Sequence, residues 1–211
     1  MNYRQMCYTC NRPKSSCLCH DIKPIETNTK FVILMHPKEF KYIKNNTGRL
    51  THSSLKNSDL FVGVDFSKHN RVNLLLTDPK NYCTILFPSH DSICINEEKL
   101  ELNDKQLVVF IIDATWDSAK PMLRQSKNLH QLPKISFTHT KTSAYKFKKQ
   151  PFAEALSTME STLCLLEILQ KQGLEAICDK DLEKFLNPFE KMVKFQMEFV
   201  SSKPRYRKSD G

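Results

Sequence analysis

The clearest chemistry in the chain lies in four cysteines near its N-terminus. Cys7, Cys10, Cys17 and Cys19 follow the spacing C-x2-C-x6-C-x-C. Two close pairs of thiols flanking a short loop can surround one ion, and four thiolates form a closed tetrahedral zinc site of the structural kind. An iron–sulfur cluster takes the same donors and remains the alternative. The segment has almost no apolar residues of its own, so metal binding and local folding are expected to be coupled. Arg12 and Lys14, in the loop between the pairs, are expected to receive phosphate. His20 follows Cys19, but four cysteines already complete a ligand set. Cys83, Cys94, Cys164 and Cys178 are scattered through apolar contexts and read as small core residues.

A second group of residues lies where apolar runs end. Phe87-Pro88-Ser89 follows one run, and Asp113-Ala114-Thr115-Trp116 follows the most apolar run, Leu107 to Ile112. Open α/β sheets bind ligands at strand ends of this kind. Taken singly, Asp113 or Thr115 fits a turn or helix cap equally well, and a lone tryptophan fits a core position. The sequence holds four glycines, none of them in a G-x-G-x-x-G or P-loop pattern, which disfavours a Rossmann-type nucleotide site.

The elements that must position these residues follow from periodicity. Lys30 to Met35 reads as a buried strand, and Leu107 to Ile112 as a central parallel strand covered on both faces. Lys134 to Thr138 is a further strand candidate, and 73–76 and 83–87 are short apolar runs. Arg49 to Ser58 reads as a polar helix. Ala153 to Lys171 is the clearest helix, with Leu156, Met159, Leu163, Leu166 and Leu169 at helical spacing. Asn187 as cap, Pro188 and Glu190 announce another. Strands alternating with helices imply an α/β fold with a mostly parallel sheet. The expected organisation is a zinc-binding knuckle over 1–28, a catalytic domain over 29–201 and a basic tail over 202–211.

The net charge of +9 favours polyanionic partners, because each neutralised phosphate releases counterions. Lys141, Lys146, Lys148 and Lys149 interleave with Tyr145 and Phe147, a composition that can hold phosphates while rings stack on bases. Lys203, Arg205, Arg207 and Lys208 surround Tyr206 in the same way. No apolar run approaches the roughly 18 residues that span a bilayer, and Met1 to Cys10 lacks a signal-peptide core. The expected location is the cytoplasm.

Several of these segments, in this order, resemble the DTW-domain family, specifically its bacterial tRNA-uridine aminocarboxypropyltransferases. They are C-x2-C-x-R-P-x3-C-x-C at Cys7 to Cys19, His36-Pro37-Lys38-Glu39, Asn46-Thr47-Gly48-Arg49-Leu50, Leu86-Phe87-Pro88-Ser89, Asp113-Ala114-Thr115-Trp116, Ser143-Ala144-Tyr145 and Leu156-Ser157-Thr158-Met159-Glu160. The resemblance implies transfer of the 3-amino-3-carboxypropyl group of S-adenosylmethionine to N3 of a tRNA uridine. It also implies a SPOUT-like core with a knotted cofactor edge. Asp113, Thr115 and Trp116 become the expected catalytic residues. Leu86, Phe87, Pro88, Ser89, Asp113, Leu156, Ser157, Thr158 and Glu160 become the expected cofactor contacts. Arg12, Lys14, His36, Arg49, Tyr145, Lys146, Lys148 and Lys149 are expected at the RNA. Asp113 either takes the N3 proton, with a pKa raised by burial against Trp116, or holds the cofactor amine. Trp116 can face the sulfonium. Two other readings use the same features: a zinc-containing RNA-binding protein without catalysis, and an RNA methyltransferase of the same fold class. The sequence leaves monomer and homodimer equally open.

Overall fold

The computed structural model describes residues 5–10, 12–139 and 156–201, with side chains as far as 198. Six strands form one parallel sheet: β1 (Lys30–Met35), β2 (Ser58–Val62), β3 (Asn81–Leu86), β4 (Ile93–Cys94), β5 (Gln106–Asp113) and β6 (Lys134–Ser136), in the order β2-β1-β5-β3-β6-β4. The Leu107 to Ile112 run is central, as its apolar character demands. Its side chains alternate between two cores. Leu107, Val109 and Ile111 join one, while Val108 and Phe110 join the other. Every register from β1 to β3 through β5 is parallel, so both faces need helical cover.

One face is covered by α2 (Thr47–Ser53), α6 (Thr158–Lys171), α7 (Asp179–Phe185) and α8 (Asn187–Ser201), whose apolar residues share a core with Phe31 and Val109. The other is covered by α3 (Asn70–Thr77), α4 (Trp116–Gln125) and α5 (Lys127–His130), with Val72, Met122 and Leu129 against Val32 and Phe110. A short helix, α1 (Pro37–Tyr42), follows β1. The buried Glu175 carboxylate accepts from the backbone N–H groups of Asn28 and Thr29 at 2.8 and 2.7 Å, fixing the entry to β1 against the turn after α6. Among the described residues no helix is long and apolar enough to cross a membrane.

Several expectations shift. The helix expected over 49–58 begins at Thr47, because Asn46 rather than a later residue caps it, and it ends at Ser53 before the edge strand β2. The apolar run 73–76 is half of helix α3. Asn187 lies within the helix it was expected to cap. Pro121 stands in the interior of α4, which continues across it to Gln125. The described part of the long helix starts at Thr158, with Ser157 as its cap.

Candidate functional site

The strand order places the chemistry at the carboxyl ends of the inner strands. From β1 the chain leaves toward β2, and from the neighbouring β5 it leaves toward β6. The carboxyl ends of β1 and β5 therefore flank a topological switch point, where open sheets leave a crevice. A cleft of about 760 Å³ opens beside it, over the ends of β5, β3 and β6. Leu86, Phe87 and Pro88 contribute one wall, and Ala114, Trp116 and Lys120 another. Ser136 ends β6 and Phe137, Thr138 and His139 follow it, and Leu156, Thr158 and Ser161 come from the start of α6. The Phe87 and Trp116 rings meet edge to face with centroids 6.0 Å apart, giving the cleft an aromatic side.

Asp113 stands one layer behind this wall. It is 5% exposed, so its charge must be satisfied inside the protein. Asn46 Nδ2 donates to Oδ2 at 2.6 Å, and Thr158 Oγ1 donates to Oδ1 at 2.6 Å. The backbone carbonyl of Asp113 accepts from the N–H of His36 at 3.0 Å. One carboxylate thus joins the end of β5 to the cap of α2 and the first turn of α6. Gly48 permits the approach, since a Cβ there would lie 2.6 Å from both Cγ and Oδ2 of Asp113. Asn46 has a second task, its Oδ1 accepting from the Arg49 N–H at 2.9 Å as the cap of α2.

The first turn of α6 is ordered by its own side chains. Ser157 Oγ accepts from the Glu160 N–H at 3.3 Å, and Glu160 Oε2 accepts from the Ser157 N–H at 2.8 Å, a reciprocal capping box. That uses Ser157 and Glu160 to cap the start of the helix, whereas Thr158 faces the cleft. Thr115 is exposed, with Oγ1 3.2 Å from Ser118 Oγ. Ser89 turns away, donating to Asp91 at 2.7 Å. The Lys134 ammonium and the Ser89 hydroxyl on Asp91 hold that carboxyl far below its ordinary range.

The four N-terminal cysteines converge, with all four sulfurs within 4.8 Å of one another. Cys7 and Cys19 are 3.7 Å apart and Cys10 and Cys17 3.8 Å. Sulfurs bound about 2.3 Å from a tetrahedral zinc are separated by about 3.8 Å, so the spacing fits that ion. The backbone supports it: the Cys7 N–H donates to the Arg12 carbonyl at 2.7 Å and the Lys14 N–H to the Gln5 carbonyl at 2.9 Å, closing the loop between ligand pairs. Backbone donors from Cys10 and Thr9 lower the Cys7 pKa to about 6, favouring thiolate. Burial and the neighbouring thiols push Cys19 up, as expected of crowded sulfurs that need a cation to ionise together.

The structure separates the expected RNA contacts. Arg12 is only 8% exposed, its Nη1 on Asn45 Oδ1 at 3.1 Å and its Nη2 on Met192 Sδ at 3.1 Å. Its guanidinium fastens the knuckle to α8 and the start of α2 instead of facing outward to receive phosphate. Lys14 is exposed. His36 caps α1, with Nδ1 accepting from the Lys38 N–H at 3.1 Å. Arg49 stacks on Phe40 with its guanidinium carbon 4.1 Å from the ring centroid. Burial lowers the Arg49 pKa, and the Asp113 charge opposes the shift. Tyr145, Lys146, Lys148 and Lys149 lie outside the described residues, as does the basic tail over 202–211, although His139 and Leu156 on either side of segment 140–155 both line the cleft.

Sequence reasoning placed Leu86, Phe87, Pro88, Trp116, Leu156 and Thr158 at the cleft. It missed Lys120, Ser136, Thr138, His139 and Ser161, which carry no motif of their own. Ser161 was within reach, being one turn beyond Ser157 on a helix already recognised. Asn46 and Gly48 belong to a recognisable segment whose residues show no role in the sequence, and only the folded geometry shows that they serve Asp113.

The sequence model described as the DTW domain matches residues 4–197. The chain is 28% identical over 229 aligned residues to tRNA-uridine aminocarboxypropyltransferase A of Arabidopsis thaliana, covering 96% of this chain and 85% of that protein. It is 27% identical to tRNA-uridine aminocarboxypropyltransferase 2 of Mus musculus and 25% identical to the protein of that name in Macaca fascicularis. Those alignments cover 92% of this chain and 64% of each relative, so the chain spans less than two thirds of their length. No solved structure matches.

Proposed function

Because the chain belongs to the DTW-domain family, we propose that it is a tRNA-uridine aminocarboxypropyltransferase. The observation that carries this reading is the cleft at the carboxyl ends of β3, β5 and β6, where the D-x-T-W, F-P-S and L-S-T-x-E segments meet around Asp113 and Thr158. The donor in this reading is S-adenosylmethionine, which supplies an electrophilic carbon next to a sulfonium. Uridine N3 loses its proton as the new C–N bond forms, and the electrons of the broken C–S bond remain on sulfur as a neutral thioether.

The aromatic side made by Phe87 and Trp116 suits a sulfonium and a flat adenine ring. The cation of Lys120 and the unspent N–H groups in the first turn of α6 suit the carboxylate of the transferred group. Choosing that carbon over the methyl is then a matter of holding it in line with N3. Asp113 has both carboxylate oxygens engaged and stands behind the cleft wall, so we assign it a positioning role. His139 is the imidazole on the wall best placed by chemistry to accept a proton. In the cysteine knuckle, Cys7, Cys10, Cys17 and Cys19 would hold a structural zinc ion that stabilises the N-terminal segment. The knotted SPOUT-like cofactor edge belongs to the same reading, supported by the fully parallel sheet and the lack of a glycine-rich loop. A cytoplasmic location suits a tRNA substrate.

Nucleoside mass spectrometry decides the matter. Unmodified tRNA incubated with the protein and S-adenosylmethionine should yield uridine carrying the aminocarboxypropyl group. A methyl adduct, or no adduct despite bound cofactor, would defeat the assignment.

A further inference from the structure

We infer that helix α1 and the turn after it form a stacking ridge for an unpaired nucleotide of the tRNA, beside the cleft and distinct from it. The inference rests on tRNA being the substrate. Glu39 is the one buried residue of α1. The others face outward, and among them are large aromatic rings: Phe40 is 45% exposed and Tyr42 66%. Lys38, Lys41 and Lys44 alternate with these rings, and between residues 36 and 50 the sole acidic side chain is the buried Glu39. A surface with every exposed charge positive and exposed rings between the cations matches a single-stranded polyanion. Phosphates meet the lysines, and bases meet the π faces.

Two cations are already stacked on these rings. The Arg49 guanidinium lies over Phe40, and its Nη2 donates to the Phe40 carbonyl. The Lys41 ammonium lies 5.4 Å from the centroid of the Tyr42 ring. The guanidinium covers one face of the Phe40 ring, so a base would extend this stack from its outer side. The ridge is fixed relative to the reaction site, since the His36 N–H at the start of α1 donates to the Asp113 carbonyl and Arg49 follows Gly48 at the Asp113 carboxylate. A nucleotide flanking the target uridine would rest on this ridge while the uridine enters the cleft.

The test uses the full zinc-loaded chain and an unmodified tRNA transcript. Filter binding is measured from 50 to 300 mM salt, and S-adenosylmethionine binding is followed in parallel by calorimetry. Tyr42→Ala should weaken tRNA binding by about fivefold or more, the lower end of one lost base stack. Replacing Lys38, Lys41 and Lys44 together by Ser should reduce the slope of log affinity against log salt by about 2. Cofactor affinity and melting temperature should stay at the wild-type values, because these side chains are exposed. Wild-type tRNA affinity and salt slope in both variants overturn the inference. So does loss of self-association in sedimentation with tRNA binding intact, which would make the ridge a protein contact. Wild-type protein that binds tRNA through this ridge and leaves it unmodified would overturn the proposed activity alone.

Discussion

Replacing Gly48 by Ala tests the close packing around Asp113, because two rules predict opposite signs. Gly48 lies in the first turn of α2, and in an ordinary helix Gly→Ala stabilises by up to about 1 kcal/mol. Here the added Cβ would stand 2.6 Å from Cγ and Oδ2 and 3.0 Å from Cβ of Asp113. A side chain tip can usually swing aside, but this one is held by Asn46 and Thr158 at 2.6 Å each. Hydrogen bonds to a charged group contribute about 1.5–3 kcal/mol each, so clearing the clash by breaking one costs that much. Moving the helix instead is an overpacking cost of about 1–3 kcal/mol. Subtracting the propensity gain leaves a net loss of roughly 0.5–2 kcal/mol if one contact yields and more if both do. At about 2–4 °C per kcal/mol for a chain of this size, Gly48→Ala should melt about 1–8 °C below wild type. Thermal melts of the purified protein, with metal content measured before and after, provide the readout. A melting temperature equal to or above wild type would refute the packing argument, and with it the view that Asp113 is held in place.

Three further outcomes follow from the same geometry. Asp113→Asn can keep one acceptor oxygen and should retain a measurable part of the modification rate, whereas Asp113→Ala strands two buried donors and should lose about 2–4 kcal/mol of stability. If the Asn variant binds cofactor, melts normally and is inert, Asp113 is a proton acceptor and not a positioning group. Elemental analysis should find one zinc per chain, and Cys17→Ser should lose it together with several degrees of melting temperature. A visible charge-transfer band with two or more irons per chain would replace zinc by a cluster. Burial lowers the pKa of His52, whose Nδ1 lies 2.8 Å from Ser58 Oγ. With the folded pKa below the unfolded value of about 6.5, its contribution to stability is present above that value and lost as pH falls through the folded one. The melting temperature of wild type should therefore fall more steeply than that of His52→Asn between pH 7 and 5, and parallel curves would contradict the assignment.

How much of this could be read from the residues depends on the range of the signal. The Leu107 to Ile112 run identified itself, because burial on both faces of a parallel sheet leaves no polar positions. The cysteine spacing was legible for a similar reason: a tetrahedral donor set is local in sequence. The run at 73–76 was ambiguous, since three leucines in a row fit a strand or the face of a short helix, and only the cap, His69 Nδ1 accepting from the Val72 N–H at 3.3 Å, decides it. Arg12 was misplaced for a deeper reason. A guanidinium in a polar loop looks solvent-exposed until tertiary packing brings Met192, 180 positions away, against it. His139, Lys120 and Ser161 reach the cleft from β6, α4 and α6, and no pattern within any one element announces their meeting.

The link from Arg12 to Asn45 gives the remote knuckle a role near the chemistry. Arg12 is tied to the cysteine loop through its carbonyl, which accepts from the Cys7 N–H, and its guanidinium reaches Asn45 Oδ1. Asn45 is joined by one peptide bond to Asn46, whose amide donates to Asp113, and Asp113 in turn receives Thr158 at the cleft. The path runs from the cysteine cluster to the wall of the cleft through one covalent step and a few polar contacts, most with a buried partner. Apolar packing could hold the same elements together, yet it would tolerate sliding of α2 by a fraction of a turn. Directional bonds to a buried carboxylate do not, because each misplaced donor leaves an unsatisfied charge. The cysteine knuckle therefore bears on where Thr158 stands, even though no cysteine touches the cleft.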